Sequence, residues 1–240
     1  MAWHRELVYG FDLETTGTDP QQARIVTGAV VELRAGQTLG SREWLADPGI
    51  PIPAEAAAVH GITDELAAQG SPSDQVADAI AEVLTGAWRA GIPVVAYNAT
   101  FDLTLLSAEL RRHALPSLSE RLGHDPAPVV DPYTIDRFVD RYRRGKRNLE
   151  AVCAEYGIAL KSAHTAGADA LAAARLACAV AERHPKIAGL TPAELHRQQI
   201  IWHAELAENF QRFLRRQGET DAFVDPVWPL REVAGETETV

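Results

Sequence analysis

Asp12 and Glu14 stand two residues apart in the run Gly10-Phe11-Asp12-Leu13-Glu14, and in an extended strand such a pair leaves the same face. Two further acids lie far along the chain: Asp102, after Asn98-Ala99-Thr100-Phe101, and Asp169, five residues past His164. Carboxylates gathered from distant segments suit hard divalent cations such as Mg²⁺ or Mn²⁺, which prefer oxygen ligands. Two such ions about 3.5–4 Å apart can hydrolyse a phosphodiester: one lowers the pKa of the attacking water and the other stabilises the leaving oxygen. His164 would complete the chemistry, because an imidazole titrates where a general base should.

Each residue also has an ordinary reading. Asp12 and Glu14 could be polar residues near a turn. Asp102 could be a first-turn helix residue favoured by the dipole, and His164 a surface residue. Asn98 could end a strand by turn chemistry or offer its amide to a ligand. Phe101 could belong to the core or wedge against a terminal base. Asp131 before Pro132 could be a further acid of the site or a strand-end turn residue. Five residues within one helix correspond to about 500° of rotation, so His164 and Asp169 meet only if the helix starts between them.

The elements that must position these side chains can be read from the hydrophobic pattern. A strand is expected over 7–14, ended by the Thr15-Thr16-Gly17-Thr18-Asp19-Pro20 cluster. Further strands over 24–33 and 38–46 make an antiparallel meander with it. Short helical pieces are expected over 54–67, around His60-Gly61-Ile62-Thr63, and an amphipathic helix over 74–89. A buried strand at 92–97 leads into a helix over 101–112, and a short strand at 129–131 follows. Helices are expected over 133–142, 149–156 and 166–183. This is a mixed α/β sheet with helices on its faces.

Composition bounds the rest. With 46% hydrophobic and 23% charged residues over 240 positions, the chain can bury a sizeable core. The opening Met1-Ala2-Trp3-His4-Arg5-Glu6 lacks the apolar stretch of a secretory leader, and no run approaches the ~20 apolar residues of a membrane span. A cytoplasmic, non-membrane protein is expected. Cys153 and Cys178 are expected as reduced, buried thiols. A net charge of −10 argues against tight binding to long duplexes. It leaves room for catalysis at strand ends, and the stretch 137–147 holds five Arg and one Lys for a local phosphate grip.

Taken together, Phe11-Asp12-Leu13-Glu14-Thr15-Thr16-Gly17, Asn98-Ala99-Thr100-Phe101-Asp102 and His164 with Asp169 resemble the three motifs of the DnaQ-like DEDDh exonucleases. Val59-His60-Gly61-Ile62-Thr63 is similar to a segment common in that family. The resemblance implies an RNase H-like fold and a 3′→5′ exonuclease that releases 5′-mononucleotides from DNA or RNA single strands, using two Mg²⁺ or Mn²⁺ ions. It implies Asp12, Glu14, Asp102 and Asp169 as metal ligands, His164 as general base, and Thr15, His60, Asn98 and Phe101 as contacts to the terminal nucleotide.

The resemblance covers about 7–183. The expected organisation is an exonuclease domain over 1–186, a C-terminal amphipathic helix over 187–218 and a mobile acidic tail over 219–240. The helix, with apolar spacing at Leu195, Trp202, Leu206, Phe210 and Phe213, could dock on the domain, or form a homodimer or partner interface. Two rival classes remain. A haloacid-dehalogenase-type phosphotransferase would want Asp at position 14 and a later acidic pair beside a Lys. A non-catalytic nucleic-acid-binding module would need no converging acids.

Overall fold

β1 (Leu7–Thr15), β2 (Ile25–Arg34) and β3 (Gln37–Asp47) form an antiparallel meander in the computed structural model, which describes residues 2–160 and 164–231. Beyond them come α1 (Ala54–His60), α2 (Asp64–Ala67), the two-residue β4 (Ser71–Pro72), α3 (Ser73–Arg89), β5 (Val94–Val95) and α4 (Ala99–Arg112). The chain continues through α5 (Leu118–Leu122), β6 (Val129–Val130), α6 (Pro132–Val139), α7 (Leu149–Glu155), α8 (Ala166–Arg183), α9 (Pro185–Ala188) and α10 (Pro192–Arg216). The strands lie in the order β4-β3-β2-β1-β5-β6, with β5 and β6 parallel to β1. Antiparallel and parallel strands thus share one sheet with helices packed against it, the mixed α/β architecture expected.

Period-two alternation in β1 assigns its two faces. Phe11 and Leu13 enter an apolar cluster with α3 and α4, whereas Val8 joins the opposite cluster with α8 and α10. Gly10, Asp12 and Glu14 share the α8 face with Val8. Helix α8 approaches closely because its inward residues Ala170, Ala173, Ala174 and Ala177 are small and buried. Gly10 is the limiting contact: a Cβ there would lie 2.2 Å from the Ala170 carbonyl oxygen.

The C-terminal helix docks on the edge strand, the first of its three expected fates. In place of another strand, α10 presents polar side chains to β6. His196 Nδ1 accepts the Val129 N–H at 3.1 Å, and Gln199 donates to the Val129 carbonyl at 3.0 Å while accepting the Asp131 N–H at 2.7 Å. The backbone groups of this buried edge are thereby satisfied, which a purely apolar helix face would leave costly.

Several expectations need correction. The stretch expected as a mobile acidic tail is anchored to the domain at Trp228 and Arg231. Trp228 is buried, its Nε1–H reaches Asp131 Oδ2 at 3.4 Å, and the Arg231 N–H donates to Thr104 Oγ1 at 3.1 Å. An aromatic that buries its ring outweighs the polar composition around it; residues 232–240 lie outside the described residues. The strand expected over 92–97 shrinks to Val94–Val95, because Asn98 adopts left-handed φ 63° and the chain turns into α4 two residues early. Helix α6 stops at Val139, since Asp140 leaves the helical region. Helix α5 was not anticipated, although Ser117 and Glu120 form a capping box that announces it. Both cysteines are free, Cys153 buried and Cys178 only half-buried. No helix among the described residues is long and apolar enough to cross a membrane.

Candidate active site

Asp12 and Glu14 project from β1 toward the first turn of α8, where Asp169 faces them. Ligand oxygens of Asp12, Glu14 and Asp169 all lie within 4.8 Å of one another. A register irregularity between Glu14 and Thr15 ends the strand beside the site, a common device for re-aiming a side chain. Across the sheet, Asp12 pairs with Ala29 and Ala29 with Glu43, so Glu43 lies on the same face two strands away. It lines a cleft with Glu14, His60 and His164. Sequence reading passed over Glu43 because only the strand register reveals that position.

Asp102 enters from the other side and is anchored to the backbone. Strand β5 ends opposite Gly10, so beyond it the Leu13 N–H has no strand partner. Asp102, 4% exposed in the first turn of α4, accepts that N–H through Oδ1 at 3.1 Å. The acid thus serves the fold as well as the charge cluster. Asp131, by contrast, is a structural hub: it accepts the N–H groups of Asn98 and Tyr133 and the hydroxyl of Thr134, each at 2.9 Å. The turn reading accounts for all these contacts.

Burial raises the pKa of all four carboxyls, and the nearness of like charges adds to it at Asp12, Glu14 and Asp102. Burial first, then Asp102, Asp169 and Glu14, push Asp12 well above the ordinary carboxylate range. Burial, with Asp169 adding, raises Glu14 to about 7. Asp102 and Asp169 are also raised by burial, partly offset by the N–H groups of Leu13 and His164. Asp169 Oδ1 is buried with no hydrogen-bond partner. A hard divalent cation suits this donor set, because it supplies the positive charge that protons otherwise provide.

The remaining residues surround this centre. His164, exposed with φ 68°, precedes α8, and its backbone N–H donates to Asp169 Oδ2 at 3.2 Å. The imidazole lies near enough to hold the Asp169 carboxyl down. His60 closes α1; its Nδ1 accepts the Ile62 N–H at 3.1 Å, which leaves Nε2 to carry the proton of the neutral ring. It lines a second cleft with Glu14, Thr15 and Gly17, and the Thr15 hydroxyl donates to the Gly17 carbonyl at 2.7 Å. Asn98 is exposed and its side chain does not cap α4. Phe101 is half-buried against the Phe11 core, so one side of its ring is structural.

These shifts imply a pH-dependent response to metal. Carboxyls raised in the folded state contribute stability that is complete below their unfolded values near 4 and lost as pH rises through the folded ones, about 7 for Glu14. The metal-free protein should therefore lose thermal stability between about pH 5 and pH 8. Mg²⁺ or Mn²⁺ at about a hundred times its Kd should raise Tm by about 5–10 °C. At a fixed metal concentration the increment should grow with pH, since the cation binds the deprotonated acids. Melting curves in EDTA and in metal across that range check this, and an increment independent of pH would contradict it.

Comparison with known proteins agrees with the architecture. Residues 9–177 match the RNase_T family, described as exonuclease. The PolC-type DNA polymerase III of Streptococcus thermophilus is 32% identical over 167 residues, which cover 69% of this chain and 10% of that protein. The Streptococcus pneumoniae counterpart is 31% identical over 179 residues. The chain therefore spans only about a tenth of the length of these relatives. Among solved structures, Escherichia coli exonuclease I with a dT13 oligonucleotide superposes with a TM-score of 0.64 at 22% identity, covering 76% of this chain and 42% of that one. Exonuclease I of Methylocaldum szegediense gives 0.60 at 23% identity, covering 87% and 46%. At such identities the likeness speaks for the fold.

Proposed function

The chain belongs to the RNase_T exonucleases, the DnaQ-like group its motifs resemble, and on that premise we propose that it hydrolyses nucleic acids from the 3′ end, releasing 5′-mononucleotides. The observation that carries this reading is the convergence of Asp12, Glu14 and Asp169 within 4.8 Å beside the buried Asp102. A binding module would have no use for so costly a concentration of partly buried acids around a buried one. A phosphotransferase reading has nothing to rest on, since position 14 is Glu.

In this mechanism Asp12, Glu14, Asp102 and Asp169 would hold two divalent cations. Those ions, when bound, would lower the pKa of the attacking water and stabilise the leaving 3′ oxygen. His164 takes the proton from that water, and its place at the exposed rim lets it pass the proton to solvent. Thr15 and His60 orient the terminal nucleotide from one cleft wall, and Asn98 and Phe101 approach it from the start of α4. The burial of Asp102 shields that carboxyl from bulk water.

The decisive experiment incubates the purified chain with 5′-labelled single-stranded DNA and RNA in Mg²⁺ or Mn²⁺ and resolves the product sizes. Stepwise shortening from the 3′ end with release of mononucleotides is expected, and none in excess EDTA. Internal cleavage, or shortening from the 5′ end, would refute the reading. Single-stranded DNA is the first substrate to try, because the structural neighbour exonuclease I has been solved with dT13 and dA16 oligonucleotides. His164→Ala should lower kcat by about 10²–10⁴-fold, the usual worth of a general base. A variant retaining near-full rate across the pH range would remove His164 from that role.

A further inference from the structure

The basic stretch over 137–147 takes no part in the acid site, and the fold sets it opposite α10 across a groove. Arg143 and Arg147 are committed to structure: both reach Oδ2 of the buried Asp136, at 2.6 and 2.5 Å, which fixes the loop. Arg137 and Arg141 have no carboxylate partner among the described residues. Arg137 donates to the Tyr133 hydroxyl at 2.7 Å, its guanidinium 5.3 Å from that ring's centroid, while Arg141 is exposed. On the facing wall, Phe210 and Phe213 lie nearly parallel, 14° apart with centroids at 6.4 Å, and each is 46% exposed.

No Asp or Glu lines this groove, in a chain whose net charge is −10. Unpaired guanidinium groups facing exposed, parallel aromatic rings match one ligand chemistry well: phosphates for the cations and unstacked bases for the rings. A duplex hides its base faces. The groove wall is also tied to the helix of the acid site through the buried Asp131. At its head, the N–H groups of Tyr133 and Asn98 share Asp131 Oδ1, each at 2.9 Å. Asn98 opens the helix that carries Asp102 one turn later. The aromatic wall lies outside residues 9–177, so the family segment does not include it.

We propose that this groove binds single-stranded nucleic acid upstream of the 3′ end, with phosphates on Arg137 and Arg141 and bases on Phe210 and Phe213. The strand orientation rests on the exonuclease reading; binding itself does not. The test uses the full chain and fluorescent oligo-dT of roughly twenty or roughly four nucleotides. Binding is followed by anisotropy in EDTA, and hydrolysis is followed separately in Mg²⁺.

Arg141→Glu, and Phe210→Ala with Phe213→Ala, should each weaken binding of the long oligonucleotide about tenfold or more. Arg137→Ala with Arg141→Ala should lower the slope of log affinity against log salt by about 1.4, that is, about 0.7 for each phosphate released. In hydrolysis, the kcat/KM advantage of long over short substrate should fall about tenfold, through KM. Arg141 has no partner among the described residues, so its variant carries the test even if the phenylalanine changes disturb α10. Wild-type affinity and salt slope in these variants would overturn the proposal. So would a poly-glutamate peptide competing as strongly as the oligonucleotide. Groove-dependent binding without any hydrolysis would support the groove and count only against the exonuclease reading.

Discussion

Asp12→Asn is expected to cut release of nucleotides from an oligonucleotide 3′ end by about 10³-fold or more while making the metal-free protein more stable. The two effects share one cause. Asp12 is the acid most crowded by others: burial raises its pKa, and Asp102, Asp169 and Glu14 add to the shift. An uncharged amide of the same shape removes that repulsion and keeps hydrogen-bonding capacity. The same change deletes a negative charge at the centre of the donor set. Loss of about 4 kcal/mol of charge stabilisation in the transition state corresponds to about 10³ in rate. Measuring kcat in Mg²⁺ and Tm in EDTA for the same variant checks both halves. A rate near wild type would remove Asp12 from the site. A Tm well below wild type would mean that the acids are paired in some other way than the geometry indicates.

Gly10→Ala should be nearly as damaging to activity, although Gly10 bears no functional group. A methyl there would meet the Ala170 carbonyl oxygen at 2.2 Å, and backbone held in a helix packed on the sheet cannot swing aside as a side chain can. Overpacking of this kind costs about 1–3 kcal/mol, occasionally more. The helix must shift outward, and Asp169 is the residue next to Ala170. A misplacement of about 1 Å in such a site is worth about 10²-fold in rate. The expected variant is therefore folded, less stable and slow, with its metal-induced rise in Tm reduced. Normal turnover at lowered stability would show that the position of α8 is not what sets Asp169. Gly28→Ala offers a contrast, since its Cβ would meet the Ile80 Cδ1 atom at 2.7 Å, the movable end of a side chain on the opposite face.

How far the sequence carried this account differs by element. The meander was legible because β1 and β2 alternate or run apolar over long stretches, and α3, α8 and α10 because their apolar spacing persists for several turns. Three elements of two to five residues, β4, α5 and α9, escaped, because periodicity needs length to register. The docked segment around Trp228 was misread as tail for a related reason. A single aromatic among Asp and Pro residues carries no pattern, and its burial depends on a receptive surface elsewhere in the chain.

The acids, the histidine before α8 and their order along the chain are properties of the sequence alone, since residue type limits the chemistry a side chain can do. Which acids meet was decided by tertiary structure. Asp131 and Asp102 look alike in sequence, each an acid following a buried strand. One is used up by neighbouring N–H groups and a hydroxyl, whereas the other stands against the end of β1. Glu43 and the groove between the 137–147 loop and α10 likewise exist only once strands pair and the last helix covers β6. Charge and chemistry belong to single residues, but distance, burial and electrostatic coupling belong to pairs, and only the packed fold makes the pairs.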